Sequence, residues 1–262
     1  MLKFCSLYSG STGNSLFVQS DKSKILIDAG ESCKKIEEAL NNINIDIKDI
    51  DAILVTHEHS DHIKGIGTIS KKYDIPIYAN NNTWDNMQNQ KSKISLDNIK
   101  NFNNNTKFTI KDLTINPFSI PHDASDPCGF NICNNKVKIS IATDIGHITE
   151  DILYNLQNSS FVLLESNYDP EILKCSSYPY ILKRRISGPN GHLSNDNAGD
   201  VISYLMNYGL KSVMLGHLSK ENNFPELAYK TVVEKIIENK LDESSIKLNV
   251  AKRDKVSNFI EI

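Results

Sequence analysis

The segment "HEHSDH", residues 57–62, follows the apolar run "DAILVT" and holds three of the chain's seven histidines. Because side chains alternate along an extended segment, His57 and His59 are expected to point the same way. Asp61 and His62 come next, where the chain turns, and can face a second point nearby. Zinc accepts imidazole and carboxylate ligands at roughly 2 Å, and manganese tolerates the same set. The segment therefore predicts two divalent metal ions, one on His57 and His59 and the other on Asp61 and His62.

A structural alternative is an exposed polar loop in which Ser60 or Asp61 caps a helix and the histidines are incidental. That alternative explains a single histidine well. It explains H-x-H-x-D-H at the end of a strand poorly, because each of these residue types at this spacing is a metal ligand. Metal binding is therefore the interpretation that the segment favours.

Two ions need further ligands, and other acids and histidines also stand at predicted strand ends. His122 follows "FSIP", Asp144 ends "ISIATD", His217 ends "SVMLGH" and Asp28 ends "ILID". Such residues at the C-terminal ends of separate strands converge on one face of a sheet, as active-site residues do. Asp144 is predicted to bridge both ions. Taken singly, each histidine could be structural and Asp144 could be a turn residue, but the set favours a metal centre.

The elements that carry these residues are short β-type runs with helical patterns between them. Helical periodicity appears in "ESCKKIEEALNNI", "ITEDILYNLQ", "NDNAGDVISYLMNYG" and "PELAYKTVVEKIIENKL". The early strands follow one another directly, whereas the later ones alternate with helices, so a uniform βαβ alternation fits poorly. Two mixed β-sheets packed face to face, with helices outside, fit better. Without a repeat or a linker-like stretch, residues 1–262 are predicted to form a single domain.

The composition limits which classes of protein this chain can belong to. The 262 residues are 39% hydrophobic, enough for a substantial core. No apolar run approaches the ~20 residues that cross a bilayer, and the N-terminus lacks the pattern of a secretory signal, so we expect a cytosolic protein with no membrane partner. Five scattered cysteines without a C-x-x-C pair argue against disulfides and thiolate zinc sites. The net charge of −3 means that any binding of nucleic acid needs a local basic patch.

Together these motifs resemble the metallo-β-lactamase fold superfamily, whose hallmark is H-x-H-x-D-H followed by histidine, aspartate and histidine. The resemblance covers essentially the whole chain and implies an α/β fold, a four-layer αββα sandwich of two mixed β-sheets flanked by helices. It implies that Asp28 orients the loop carrying the histidines. The implied ligands are His57, His59 and His122 for one metal, Asp61, His62 and His217 for the other, and Asp144 as the bridge.

The strings "LYSGSTGNS", "VTHEHSDHIKGIG", "PHDASDPCGF", "LLESNYD" and "LGHLSKENN" resemble more narrowly the YycJ/WalJ (VicX) subgroup, whose members are linked to metal-dependent nuclease activity on DNA. The resemblance implies a phosphodiesterase with two divalent ions, zinc or manganese, that acts on nucleic acid as a 5′-to-3′ DNA exonuclease. The sequence indicates no protein partner. Two alternatives stay open: a metallohydrolase for small esters, lactones or thioesters, and a metal-binding regulatory protein without activity.

Two further motifs resemble the branch that includes ribonuclease J. "LLESN" places Glu165 at a strand end and "GHLSN" places His192 where that branch has a histidine facing the scissile phosphate. Only 26 residues separate the two, so the large domain which that branch inserts here has no counterpart. The resemblance implies that Asp61, Glu165 and His192 are catalytic, with Asp61 accepting a proton from water and His192 stabilising the phosphate or protonating the leaving oxygen.

Several positions have both a functional and a structural interpretation. Lys183, Arg184 and Arg185 are predicted to hold phosphates near His192, or else form a solvated helix face. Ser194 is predicted to contact phosphate or to cap the following helix. His147 is predicted to support the metal ligands or to be exposed. The loop "SGSTGNS", residues 9–15, either turns backbone amides toward the metals or a phosphate or is a simple hairpin connection.

Overall fold

The computed structural model describes residues 1–135 and 137–262, which form two compact units. The first unit comprises Met1–Ser119, Ala124–Val137 and Lys252–Ile262. The second unit comprises Ile120–Asp123 and Lys138–Ala251. A single domain over residues 1–262 stays a prediction.

A seven-stranded mixed sheet organises the first unit, in the order β14-β1-β2-β3-β4-β5-β6. β1 to β3 pair antiparallel, whereas β3 to β6 pair parallel, with Leu26 opposite Ile53 and Ile53 opposite Ile77. β3 after Lys24 and the whole of β4 are apolar and buried, as is typical of parallel strands covered on both faces. The bounds are β1 Lys3–Tyr8, β2 Ser15–Gln19, β3 Lys24–Ile27, β4 Ala52–Leu54, β5 Ile77–Asn80, β6 Ile99–Phe102 and β14 Ile260–Glu261.

Helices of the first unit cover a core of aliphatic side chains around Phe17 and Trp84. The first helix begins where Ser32 accepts a hydrogen bond from the amide of Lys35, and it buries Ile36 and Leu40. The helices are α1 Cys33–Asn41, α2 Ser60–Ile63, α3 Ile66–Tyr73, α4 Asn81–Asn86 and α5 Gln88–Lys91, with 3-10 turns at Ile47–Asp49 and Leu96–Asn98. The unit also holds the antiparallel strands β7 Phe108–Ile110, β8 Leu113–Ser119 and β9 Cys128–Asn134.

Parallel strands organise the second unit. In register, Leu164 of the central strand lies opposite Ala142 on one side and Leu215 on the other. All five residues of the strand Phe161–Glu165 are buried, including the terminal glutamate. The strands are β10 Val137–Ala142, which enters the unit at Lys138, β11 Phe161–Glu165, β12 Ser212–Gly216 and β13 Lys247–Val250. The helices are α6 Glu150–Leu156, α7 Pro170–Cys175, α8 Tyr180–Ile186, α9 Asn195–Met206 and α10 Pro225–Glu238, with a 3-10 turn at Glu243–Ser245.

The predicted fold class, two mixed β-sheets flanked by helices, is confirmed. The four helical patterns in the sequence become α1, α6, α9 and α10. All five cysteines are free thiols, as their scattered positions predicted. No helix in residues 1–135 and 137–262 combines the length and the apolarity needed to cross a membrane.

Candidate metal centre

In the first unit, the turn from β4 into α2 gathers the predicted ligands of the histidine-rich segment. The ring of His57 lies 4.6 Å from that of His59 and 4.1 Å from that of His62, measured between centroids. Asp61 Oδ2 lies 3.5 Å from His62 Nε2. His59 itself occupies the N-cap position of α2, so the alternative in which Ser60 or Asp61 caps this helix is wrong.

Asp28, directly after β3, makes three contacts to this turn; its role in orienting metal ligands stays a prediction. Its Oδ1 accepts from the amide of Thr56 at 2.9 Å, and its Oδ2 accepts from the Thr56 hydroxyl at 2.8 Å. The same Oδ2 lies 2.8 Å from His62 Nδ1, and Thr56 Oγ1 lies 3.0 Å from His57 Nδ1. Since Thr56 donates to Asp28, its oxygen accepts the Nδ1 proton of His57. This pattern places the ring proton of both histidines on Nδ1 and leaves the Nε2 lone pair as the atom that could bind a metal.

The loop of residues 9–15 joins antiparallel β1 and β2, and it also contacts the predicted ligands through Asn14. Asn14 Oδ1 accepts from the Gly10 amide at 2.9 Å, which orients its amide nitrogen. That nitrogen lies 3.2 Å from Asp61 Oδ2 and 3.0 Å from His62 Nε2. The loop is thus a hairpin connection, and both the backbone amide of Asn14, which donates to Asp61 O at 2.8 Å, and its side chain contact the histidine-rich segment. That the loop's amides face the metals or a phosphate stays a prediction. Neither Asn14 nor Thr56 was singled out in the sequence.

In the second unit, a second cluster of possible metal ligands consists of Asp144, Glu165 and His217, at or just after strand ends, and His192, between α8 and α9. One ligand atom from each member of the cluster lies within 4.8 Å of the others. His122 Nε2 lies 3.8 Å from Asp144 Oδ1, and its Nδ1 lies 3.0 Å from the carbonyl oxygen of Gly191. A Cβ at Gly191 would stand 2.2 Å from two carbonyl oxygens, so this close approach requires glycine.

Glu165, at the end of β11, is fully buried and organises this cluster. Its Oε1 lies 2.7 Å from His217 Nδ1 and 2.9 Å from His192 Nδ1. Its Oε2 accepts from the amides of Ile145 at 2.8 Å and Leu193 at 2.9 Å. These contacts orient two histidines. The catalytic role assigned to Glu165 from the sequence stays a prediction.

The charges of Glu165 and His192 depend on each other. Burial alone would raise the pKa of the Glu165 carboxyl, but attraction to His192 and hydrogen bonds from His192 and His217 hold this pKa well below its ordinary value. Burial opposes the charged form of His192, yet attraction to Glu165 and their hydrogen bond raise the pKa of His192. In His122, burial outweighs attraction to Asp144 and lowers the pKa. An ionised Glu165 therefore favours a protonated His192, whereas burial favours a neutral His122.

Three predicted site residues adopt left-handed backbone conformations directly after strands. The φ angles are 60° for Asp28, 61° for Asp144 and 56° for His217. Such angles are uncommon outside glycine, and they cluster where a fixed turn positions a functional side chain. Hydrogen bonds hold two of these turns, from the Asp28 amide to Leu54 O and from Asn167 Nδ2 to His217 O, each 2.8 Å long.

The basic residues predicted to hold phosphates lie on α8, and each has a contact within the second unit. Arg185 Nε lies 2.5 Å from Asp123 Oδ2, and Lys183 Nζ donates to the carbonyl of Lys174 at 2.7 Å. The Arg184 guanidinium lies 5.9 Å from the centroid of the Tyr180 ring. The α8 helix leads into the His192 segment, whose amide donates to Ile186 O at 2.8 Å.

The remaining predicted positions have structural roles. Ser194 caps α9, and its hydroxyl accepts from the Asn197 amide at 3.2 Å. This is the capping alternative, so its phosphate contact stays a prediction. His147 is exposed, and its Nδ1 lies 2.7 Å from the carbonyl oxygen of Pro189. Support of the metal ligands by His147 also stays a prediction.

The donor chemistry in both units fits zinc or manganese. Imidazole nitrogens and carboxylate oxygens are ligands that both metals accept. Hydrogen bonds at Nδ1 orient the rings of His57, His62, His122 and His217. That arrangement is typical of histidines that bind a metal through Nε2.

The model of the β-lactamase superfamily domain matches residues 23–217, about three quarters of the sequence. The chain belongs to the metallo-β-lactamase superfamily. Membership confirms the resemblance inferred from the motifs, and it implies binding of divalent metal ions, for which the chain holds groups of histidine and acidic residues.

Within this superfamily the chain is similar to two named relatives. Exodeoxyribonuclease WalJ of Streptococcus pneumoniae is 39% identical over 236 residues, covering 89% of this chain and 88% of that protein. Exodeoxyribonuclease YycJ of Bacillus anthracis is 38% identical over 231 residues, covering 88% of each chain. The predicted likeness to the YycJ/WalJ subgroup is thus confirmed. Among solved structures, the metallo-β-lactamase fold protein YhfI from Bacillus subtilis shares the fold, with a TM-score of 0.72 and 16% identity over 98% of both chains.

Proposed function

We propose that this protein is a metal-dependent phosphodiesterase that degrades DNA as a 5′-to-3′ exonuclease in the cytoplasm. The observation that carries the proposal is the 38–39% identity to two proteins named exodeoxyribonucleases, which extends over 88–89% of this chain. The histidine and carboxylate clusters support it because they could hold divalent metal ions. Such ions supply the positive charge that phosphodiester hydrolysis at neutral pH needs.

Two divalent ions, zinc or manganese, are proposed as cofactors. When bound, they supply positive charge for phosphate oxygens and favour the ionised form of water. The hydrogen bonds at Nδ1 that orient the rings of His57, His62, His122 and His217 support metal binding by the donors of both units. The proposed ligands are His57, His59, Asp61 and His62 of the first unit and His122, Asp144 and His217 of the second.

His192 is the proposed acid of the reaction. Its Nδ1 proton is held by Glu165 at 2.9 Å, and attraction to Glu165 raises the pKa of His192 and so favours the imidazolium. The Nε2 proton can then stabilise a phosphate oxygen or pass to the leaving oxygen. Asp61, held by Asn14, accepts the proton of the attacking water. Glu165 contributes by keeping His192 charged and oriented.

The test measures which substrates the protein cleaves, from which end of the strand, and with which metal ion. Single- and double-stranded DNA and RNA labelled at the 5′ or the 3′ end are incubated with the protein in Mn²⁺ or Zn²⁺, beside a lactam, a lactone and a thioester. We expect mononucleotides released from the 5′ end of DNA, and none from a His57→Ala variant. Turnover of a small ester with no DNA cleavage would favour the small-molecule alternative. Metal-loaded protein that is inactive on every substrate would favour the regulatory one.

A further inference from the structure

Helix α8 of the second unit has large apolar side chains that are exposed on its surface. Tyr180 is 73% exposed and Ile181 is 83% exposed. No residue of α8, all of which the structure describes, is buried. Exposed apolar residues concentrated on one short helix are typical of a surface that binds something.

A surface pocket of about 640 Å³ opens beside this helix. Its volume is within the range of small-molecule sites. Two of its lining residues, Tyr168 and Leu173, are apolar and nearly buried, with 7% and 4% of their surface exposed. Tyr178 and Tyr180 add two further aromatic rings to the lining, and the Arg184 guanidinium lies 5.9 Å from the Tyr180 ring centroid. Aromatic rings beside arginine form the surface on which unpaired bases stack in proteins that bind single strands.

The charge around the pocket is positive although the chain as a whole carries a net charge of −3. Lys174, Lys183 and Arg184 line it together with one acid, Glu171. The ion pair between Lys174 and Glu171 spans 3.6 Å, and both side chains are more than 70% exposed. Such a pair is weak and competes poorly with a phosphate. Three cations against one carboxylate thus favour an anionic occupant.

The pocket is connected directly to the segments that carry Glu165 and His192. Tyr168 follows Glu165 by three residues and forms a bridge with Ser194. Ile186 at the end of α8 precedes the lining residue Ser187 and accepts from the His192 amide at 2.8 Å. The segments that line the pocket are therefore also the ones that position His192.

We propose that this pocket binds unpaired nucleotides of the DNA strand next to the scissile phosphate. Bases stack on Tyr178 and Tyr180, and phosphates contact Lys183 and Arg184. The occupant is single-stranded because stacking on a tyrosine requires a base that has left its duplex partner. This inference rests on the proposed nuclease function, and it adds a binding site that specifies an unpaired strand.

The kinetic test replaces the exposed rings. The metal-loaded double variant Tyr178→Ala/Tyr180→Ala is compared with wild type on single-stranded oligothymidylate and on bis(4-nitrophenyl) phosphate, which lacks a base to stack. We expect the ratio of the two kcat/KM values to shift against DNA by about tenfold or more, through KM. Tyr229→Ala, which removes a 46%-exposed tyrosine on α10, is the matched control and should leave the ratio unchanged. Arg184→Ala should reduce the salt dependence of KM for DNA.

A chemical test locates the strand without a mutation. Oligonucleotides carrying 5-bromodeoxyuridine are irradiated with wild-type protein, and the crosslinked peptide is identified by mass spectrometry. Crosslinks within residues 168–187 support the pocket. An unchanged kinetic ratio together with crosslinks outside this range overturns it, and would make a protein partner the remaining occupant. Wild type that hydrolyses bis(4-nitrophenyl) phosphate but no nucleic acid would refute the proposed function itself, and the pocket proposal with it.

Discussion

The Glu165 carboxylate accepts a 2.7 Å hydrogen bond from Nδ1 of His217, and both side chains are buried. Strand pairing produces this contact. Glu165 of β11 lies opposite Gly216 of β12, so the next residue, His217, turns out of the sheet beside it. The left-handed φ of His217 completes that turn. A predicted metal ligand and the acid that orients it are therefore placed by the register of two neighbouring strands.

Replacing Glu165 by glutamine should loosen the second unit's cluster. A carboxylate can accept from all four donors around it, whereas an amide has one accepting oxygen and directs its own N–H groups at the rest. We expect Glu165→Gln to lower the free energy of unfolding by ~1–3 kcal/mol and the metal affinity by about 10–100-fold. Urea unfolding of metal-free protein and competition with a zinc chelator measure the two effects.

The matched control for that change is Glu171→Gln on α7, because its side chain is 78% exposed. It should alter the free energy of unfolding by no more than ~0.5 kcal/mol. Glu165→Gln protein with the zinc affinity of wild type would show that Glu165 does not orient His217 as a ligand.

The Thr56 hydroxyl links the Asp28 carboxylate to His57 through two hydrogen bonds, a chain called here the Thr56 relay. Thr56→Val should therefore weaken metal binding although it keeps the shape of the side chain. Valine leaves the Nδ1 proton of His57 without the hydroxyl that accepts it. A loss of ~1–3 kcal/mol in unfolding free energy and about tenfold or more in zinc affinity is expected. Thr109→Val, at an exposed position of β7, is the control. If Asp28→Asn and Thr56→Val have additive effects in a double-mutant cycle, the relay does not exist.

His192→Ala should separate chemistry from metal binding. Since His192 is the proposed acid and not a proposed ligand, the variant should retain two ions per chain while turnover on DNA falls about 10²–10⁴-fold. Metal content is read by atomic emission and turnover by release of labelled nucleotide. Loss of an ion from the variant would instead assign His192 to the metal.

Gly30→Ala should damage the first unit's cluster through the backbone. An added Cβ would stand 1.6 Å from the Asp61 carbonyl oxygen and 2.6 Å from the Asn14 amide nitrogen, so the chain carrying Asp61 must move. We expect destabilisation above ~3 kcal/mol together with reduced metal content. Gly209→Ala is a milder control, because an added Cβ meets no described atom within 4 Å there and only the φ of +84° opposes it. Equal effects of the two changes would contradict the close approach of Gly30 to Asp61.

Two cysteines should differ in their reactivity toward alkylating reagents. Burial raises the pKa of the Cys5 thiol to about 12, although attraction to Lys252 opposes this. Cys5 therefore stays protonated at pH 8 and should resist iodoacetamide until the protein unfolds. Cys175 is exposed and should be alkylated in the native protein. Peptide mass spectrometry distinguishes the two sites, and rapid labelling of native Cys5 would contradict its burial.

The predictable part of the structure was the part encoded by local pattern. Helical periodicity gave α1, α6, α9 and α10, and the position of Asp28, Asp144 and His217 after apolar runs placed them at strand ends. Asn14 and Thr56 could not be recognised because their roles depend on partners 47 and 28 residues away. Residue type alone also left the choice at Ser194 open, since a serine before a helix can cap it or contact a ligand.

The left-handed angles of Asp28, Asp144 and His217 have a consequence for how the protein can change over generations. Each position stores of the order of 1 kcal/mol of backbone strain that glycine would relieve. A descendant that no longer needed metal ions could relieve this strain by drifting to glycine at Asp144 and His217, whereas glycine at Asp28 would also remove the buried acceptor of the Thr56 amide and hydroxyl. The continued presence of Asp144 and His217 would then mark, in any lineage, a chain still selected for its chemistry rather than for its durability.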